Sequence, residues 1–305
     1  MSVASFAAAQ ILGVLPRARI SHAVGRLADY QWPPWVARSV VGAYAMAFGI
    51  DFGECVLSSG WETFDEFFTR ALRPGARPVD PEPGSIVSPA DGTIDAMARV
   101  EWPGRLVVKG REYAVSDLLG DEREARRLSD AFGCVIYLSP RDYHRVHAPI
   151  KGTISRIRSM PGDYYPVNMI GRRHVRNLLG RNRRVAIEIE TDRGHGRVTV
   201  VMVGALIVGR ITATGIAGRD VPSGVHVFDP PIRVERGDEI GRFHLGSTVV
   251  LFADNAHALE VVQASGDVRC GRPLLRTPDM GLEASSPDSR STTDASGGEE
   301  RGVMG

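Results

Sequence analysis

An acid, an imidazole and a hydroxyl occur along the chain in an order that could make a nucleophile. Asp91 lies in Ser88-Pro89-Ala90-Asp91-Gly92-Thr93-Ile94, His144 and His147 in Tyr143-His144-Arg145-Val146-His147-Ala148-Pro149, and Ser247 in His244-Leu245-Gly246-Ser247-Thr248-Val249. A carboxylate that orients an imidazole, which then takes a hydroxyl proton, activates a serine. Each piece alone has an ordinary reading, since Asp-Gly is a standard turn pair and Gly-Ser at the head of a strand is usually a turn. The nucleophile-elbow pattern G-x-S-x-G would need glycine where Leu245 and Val249 stand. Ser247 instead follows Gly246, which has no Cβ to shield its carbonyl, and leads into an apolar run. Such a serine is better placed to attack the carbonyl just before it than an outside acyl group. A serine hydrolase using Asp91, His147 and Ser247 in place is the alternative.

Other chemistries have less support. The two histidines three apart have no third His, Cys or acid at a convincing spacing, so no metal site is expected. Lysine occurs only as Lys109 and Lys151, each in a Lys-Gly pair beside an apparent strand, which argues against a lysine-held pyridoxal phosphate. Cys55, Cys134 and Cys270 are three, widely spaced and without a ligand pattern, as expected in a reducing compartment. A net charge of +1 shows no basic excess, so nucleic acid is not an expected partner.

The elements that must position these residues fall into an α+β chain, a mainly antiparallel β catalytic domain preceded by amphipathic helices. Residues 1–60 carry the apolar stretches Val3–Leu15 and Trp35–Ile50, both too short to span a bilayer. Trp32, Trp35 and Tyr44 suit a headgroup boundary, and Arg17, Arg19, Arg26 and Arg38 suit an anionic surface. Residues 61–279 are the β domain. Within it Val185, Ile187 and Ile189 alternate with acids, Arg197–Ile211 reads as one buried strand or two joined at Gly204, and Asp117–Ala131 reads as the one clear helix. The histidines converge only if Pro140–Tyr143 turns and His147 starts a strand. Residues 280–305 read as a disordered tail.

The three motifs together resemble the pyruvoyl-dependent phosphatidylserine decarboxylase proenzymes of the Leu-Gly-Ser-Thr type. Phe67-Phe68-Thr69-Arg70-Ala71-Leu72-Arg73-Pro74-Gly75-Ala76-Arg77-Pro78 is similar to that family's entry into its catalytic domain, and the likeness runs from about Glu62 to Glu260. Arg210 stands where members commonly have a small polar residue, and Arg183-Arg184 replaces a commoner Asn-Glu-Arg sequence.

The resemblance implies that His147, oriented by Asp91, takes the Ser247 proton while the oxygen attacks the Gly246 carbonyl. An acyl shift and β-elimination would then release a β chain of 1–246 and leave an α chain of 247–305 headed by a pyruvoyl group, the two staying associated. That ketone would take up the amine of phosphatidylserine and replace pyridoxal phosphate as electron sink. His144, with an ordinary pKa near neutrality, would protonate the carbon that loses carbon dioxide, giving phosphatidylethanolamine. A peripheral protein on the cytoplasmic face of the cell membrane follows from a substrate that stays in the bilayer, and removal of Met1–Ile50 is expected to weaken liposome binding and spare self-cleavage. A homodimer is left open. A soluble pyruvoyl-dependent amino-acid decarboxylase and a noncatalytic β domain with carrier-like turns are the other readings.

Overall fold

Ala37, Val41 and Ala45 recur every four residues and form the buried stripe of a helix, Pro34–Phe48. The computed structural model describes residues 16–277 apart from 58, 109, 168–173, 192–195, 207–209 and 246, with Ser247 described in its backbone alone. Three helices come first: α1 (Arg17–Ala28), α2 (Pro34–Phe48) and α3 (Phe64–Phe68). Pro16 precedes α1, and Gly49 ends α2 in the left-handed conformation that glycine adopts without strain. Thr63 caps α3, its hydroxyl accepting from the Glu66 amide at 3.0 Å.

Strands follow: β1 (Ser85–Val87), β2 (Gly92–Arg99), β3 (Arg105–Val108) and β4 (Arg111–Ala114). Two short helices, α4 (Val115–Leu119) and α5 (Glu122–Arg127), replace the single helix expected over 117–131. Gly120 turns left-handed between them, and Asp121 accepts from the Arg123 and Glu124 amides to start a new helix. Then come β5 (Phe132–Leu138), β6 (Arg145–His147), β7 (Gly152–Met160), α6 (Leu178–Arg181), β8 (Arg184–Thr191) and β9 (Arg197–Val203). The chain continues through β10 (Arg210–Ala213), β11 (Gly224–Val234), β12 (Glu239–His244), β13 (Ser247–Ala253), β14 (Glu260–Val261), β15 (Gly266–Val268) and β16 (Pro273–Arg276).

Eight of these strands make one sheet in the order β11-β7-β8-β9-β13-β5-β2-β15, and β10-β12-β6 make a smaller one. The pairings within both are antiparallel, as the α+β expectation required. The Arg197–Ile211 stretch becomes β9 and part of β10, which lie in different sheets. Of the β8 acids, Glu190 stays partly exposed, whereas Glu188 is buried and accepts from Arg197 of β9 at 2.9 Å. Burial of a carboxylate is tolerated there because it is paired.

Both N-terminal helices pack on this framework. Ala28 belongs to the same buried cluster as the sheet residues, and Val41 joins Trp61 and Phe67 in a second. Tyr44 is half-buried against Phe64 and Phe67, so it serves packing rather than a headgroup boundary. Arg17 is likewise not free for a lipid surface: it donates to Asp163 at 2.6 and 2.8 Å and sits over the Tyr165 ring. Arg19, Arg26, Trp35 and Arg38 are exposed. Among the described residues no helix is long and apolar enough to cross a membrane. Val3–Leu15 and the 280–305 tail lie outside the described residues.

Candidate active site

The Gly246-Ser247 bond lies where the chain leaves the small sheet at the end of β12 and enters the large one as β13. Gly246 and the Ser247 side chain are outside the described part, but the flanks are well defined. Ser247 pairs with Leu138 at the end of β5. The segment leaving β5 turns at Pro140–Asp142, as the convergence of the histidines required, and carries His144, whose carbonyl accepts from the Phe243 amide at 3.0 Å. His147 closes β6 rather than starting a strand, because β6 is only three residues long and pairs with β12 from Arg145 onward. Its amide donates to the Pro89 carbonyl at 2.8 Å, which joins the histidine motif to the Pro-Ala-Asp-Gly turn. The motifs are thus joined pairwise: His147 to the Pro-Ala-Asp-Gly turn, and His144 to Phe243 near the end of β12, while His147 itself pairs with Glu239, eight residues before Ser247.

The His147 ring is held by groups that the sequence reading did not assign. Nδ1 lies 2.7 Å from the Gly237 carbonyl, an acceptor only, so Nδ1 carries the hydrogen. Nε2 is then the free base, and it accepts from the Tyr143 hydroxyl at 3.1 Å. Burial lowers the His147 pKa from its ordinary value, with the Gly237 carbonyl and the charges of Glu239 and Asp91 opposing. The imidazole is therefore neutral at neutral pH and ready to accept a proton.

Asp91 does not touch that ring. Arg77 grips it through Nε at 2.8 Å and Nη2 at 2.6 Å, and the Cys270 amide donates to it at 2.8 Å. A guanidinium fork satisfies both carboxylate oxygens at once, which outcompetes a single imidazole N–H. The direct contact expected between Asp91 and His147 is thus replaced by an influence of charge across space. Burial works against the Arg77 cation, but bonds to Asp91 and Glu54 more than offset it and raise its pKa. Arg77 belongs to the quoted Phe67–Pro78 segment and Tyr143 adjoins His144, so both lay in view of the sequence; Gly237 carried no signal.

His144 corrects another expectation. It is fully buried, stacks on Phe68 with ring centroids 4.0 Å apart, and neither ring nitrogen makes a well-formed hydrogen bond, the nearby Ser139 and Pro140 backbone giving it only weak support. Burial, reinforced by the neighbouring Arg70 cation, pushes its pKa down to about 3, far from the neutral value expected. A stability effect follows. Between the unfolded value near 6.5 and the folded value of about 3, the unfolded chain binds a proton that the folded chain refuses. Stability should therefore fall as pH drops below about 6.5, by about 1.4 kcal/mol per pH unit from this group. Denaturant midpoints measured from pH 7 to 4 should show a shallower decline for His144→Gln than for the unaltered chain.

The remaining candidates resolve simply. Lys151 pairs with Glu235 at 2.7 Å on the surface, and Lys109 is outside the described residues. Among the described residues no group of three or more His, Cys, Asp or Glu side chains could hold a metal ion. Cys55, Cys134 and Cys270 are buried free thiols. Arg183 bonds Asp220 and the Val221 carbonyl, and Arg184 bonds the Leu118 and Asn182 carbonyls, so both departures from the family pattern are internal braces.

A family model described as phosphatidylserine decarboxylase matches residues 64–276. The chain belongs to the phosphatidylserine decarboxylase family. Its relatives include proteins named phosphatidylserine decarboxylase proenzyme from Azotobacter vinelandii, 38% identical over 274 residues (86% of this chain, 94% of the relative), and from Anaeromyxobacter sp., 40% identical over 272 residues (86% and 95%). The Myxococcus xanthus proenzyme is 36% identical over 273 residues (87% and 96%). Membership in the phosphatidylserine decarboxylase family bears out the resemblance read from the three motifs, and the match extends it to Arg276, taking in the Cys270 amide that holds Asp91.

Proposed function

We propose that this chain is a self-maturing, pyruvoyl-dependent phosphatidylserine decarboxylase that works at a membrane surface, with residues 1–60 as its docking segment. The observation that carries the lipid substrate is an apolar cavity of about 600 Å³ between the N-terminal helices and the cleavage corner. Val24, Leu27 and Val36 line it on the helix side, and Phe68 and Leu245 on the other. Leu245 precedes the Gly246-Ser247 bond and Phe68 stacks on His144, so apolar lining continues to the site itself. A soluble amino acid would gain nothing from such a wall, whereas acyl chains would.

In the maturation step, His147 Nε2 takes the Ser247 hydroxyl proton as the oxygen bonds to the Gly246 carbonyl carbon. The Tyr143 hydroxyl that Nε2 now accepts from must swing away or relay that proton. The C–N bond breaks with protonation of the amine, which leaves an ester. Loss of the Ser247 α-proton and of the Gly246 carboxylate, followed by water addition and release of ammonia, gives two chains. A serine hydrolase would keep its serine, and the proenzyme names of the relatives favour self-cleavage over that reading.

The residues around the bond suit a group made from Ser247, because the ring of His144, whose carbonyl accepts from the Phe243 amide, is fully buried with no well-formed hydrogen bond at either nitrogen. Once formed, the pyruvoyl group supplies the electron sink for loss of carbon dioxide. His144 holds the proton position beside it. An arriving substrate carboxylate would counter the Arg70 charge and favour the protonated ring.

Intact mass under denaturing conditions tests the maturation, which requires chains 1–246 and 247–305, the shorter lighter by one ammonia than a fragment starting with free serine. Release of carbon dioxide from phosphatidylserine vesicles but not from serine tests the substrate. A single uncut chain, or equal turnover of serine, would refute the proposal.

The docking segment is best tested on the exposed face. Trp35 and Met46 are 69% and 86% exposed and neither lines the cavity. Replacing both with aspartate is expected to lower partitioning onto anionic vesicles by roughly tenfold or more, given about 1.5–3 kcal/mol for burying a large apolar side chain. Self-cleavage in solution should be unaffected. Deleting residues 1–50, the change expected to spare cleavage, would uncover the surfaces that Ala28 and Val41 bury.

A further inference from the structure

We propose that Asp65 and His244 form a clamp that positions the self-cleaving segment, and that Arg210 ties this clamp to helix α1; the inference rests on the self-cleavage reading. His244 closes β12, two residues before the Gly246-Ser247 bond, and its Nδ1 lies 2.8 Å from both carboxylate oxygens of Asp65. Its other nitrogen faces the Thr212 hydroxyl at 3.4 Å, so the ring is held from two sides. The residue after it, Leu245, has φ of 85°. That left-handed backbone costs a branched side chain strain and persists only where the surroundings impose it. Here the surroundings are the clamped His244 on one side and the apolar cavity that receives the Leu245 side chain on the other.

The same short helix serves both reacting ends. Asp65 and Phe68 are three residues apart on α3, hence on one side of it. Asp65 holds the approach to the scissile bond while Phe68 stacks on His144. Arg210, paired in register with His244, donates to Asp65 at 3.3 Å and to Asp29 at 2.7 Å. Asp29 caps the end of α1 and also meets Arg219 at 2.8 Å. A chain of charge contacts therefore runs from the end of α1 to the cleavage segment. Arg210 was one of the two departures from the family pattern noted in the sequence, and this is the role proposed for it. These pairs are largely shielded, so breaking one also costs stability, and the signature of a positioning clamp is a loss of maturation rate that turnover per mature molecule does not share.

Pulse–chase during cell-free translation of the full chain, read as conversion to 1–246 and 247–305, tests the clamp. Asp65→Asn and His244→Leu are expected to slow maturation about tenfold or more. Decarboxylation per mature molecule on phosphatidylserine vesicles should stay within about twofold even where the melting temperature falls by several degrees. The exchanged pair, Asp65→His with His244→Asp, should recover most of the lost rate, and Arg210→Met should slow maturation less than Asp65→Asn. Single variants that mature at the unaltered rate would overturn the clamp. So would slow maturation matched by equal losses in turnover per mature molecule and in melting temperature, with no recovery in the exchanged pair. Failure of the unaltered chain to mature would instead overturn the self-cleavage reading, and the clamp with it.

Discussion

Ser247→Ala is expected to yield one uncut chain with no decarboxylase activity. Both losses have one origin: without the hydroxyl there is no attack on the Gly246 carbonyl, and without the cut there is no group on which carbon dioxide can be lost. Removal of a serine nucleophile from a triad costs on the order of 10⁶ in rate, which here applies to a reaction that happens once per molecule. Denaturing mass spectrometry of the purified chain, together with carbon dioxide release from phosphatidylserine vesicles, measures both. Retention of activity in an uncut chain would remove the pyruvoyl group from the mechanism.

His144→Gln is expected to separate the two reactions. Cleavage should proceed under the proposed division of labour, in which the base is His147, held neutral by burial with Nδ1 on the Gly237 carbonyl. Decarboxylation per cleaved molecule should fall by roughly 10² to 10⁴, the range for losing a positioned proton donor. Glutamine is close in size to histidine and polar, so the stack on Phe68 is lost while the volume is kept. A His144→Gln chain that does not mature would reverse the assignment of the two histidines. His147→Gln supplies the complementary result, a chain that stays uncut.

Much of this site was legible as local pattern. Asp-Gly, the paired histidines and Gly-Ser are each short, and each structural context they imply is found: a turn before β2, a bend followed by a strand, and the entrance to β13. Antiparallel architecture was legible too, because strand alternation and turn residues act over a few positions. Where local pattern failed, a neighbour distant in sequence had intervened. Glu188 alternates with apolar residues yet is buried because Arg197 of the next strand pairs with it, and Asp117–Ala131 looked continuous although Gly120 and Asp121 end one helix and start another.

The sequence by itself determined the residue types available: a Gly-Ser pair at the head of an apolar run, two imidazoles, an acid in a turn, and the motifs of a family. Only the tertiary structure decided how those groups are held and charged. His147 is oriented by a carbonyl 90 residues away, and Asp91 is gripped by Arg77 rather than by an imidazole. His144 loses its ordinary pKa to burial beneath Phe68. His244, just before the Gly246-Ser247 bond, is bonded to an acid 179 residues before it. Residue types and short spacings fix which bonds can be made or broken. Hydrogen-bond partners, desolvation and charge depend on contacts within a few ångströms, and those exist only once distant segments have packed.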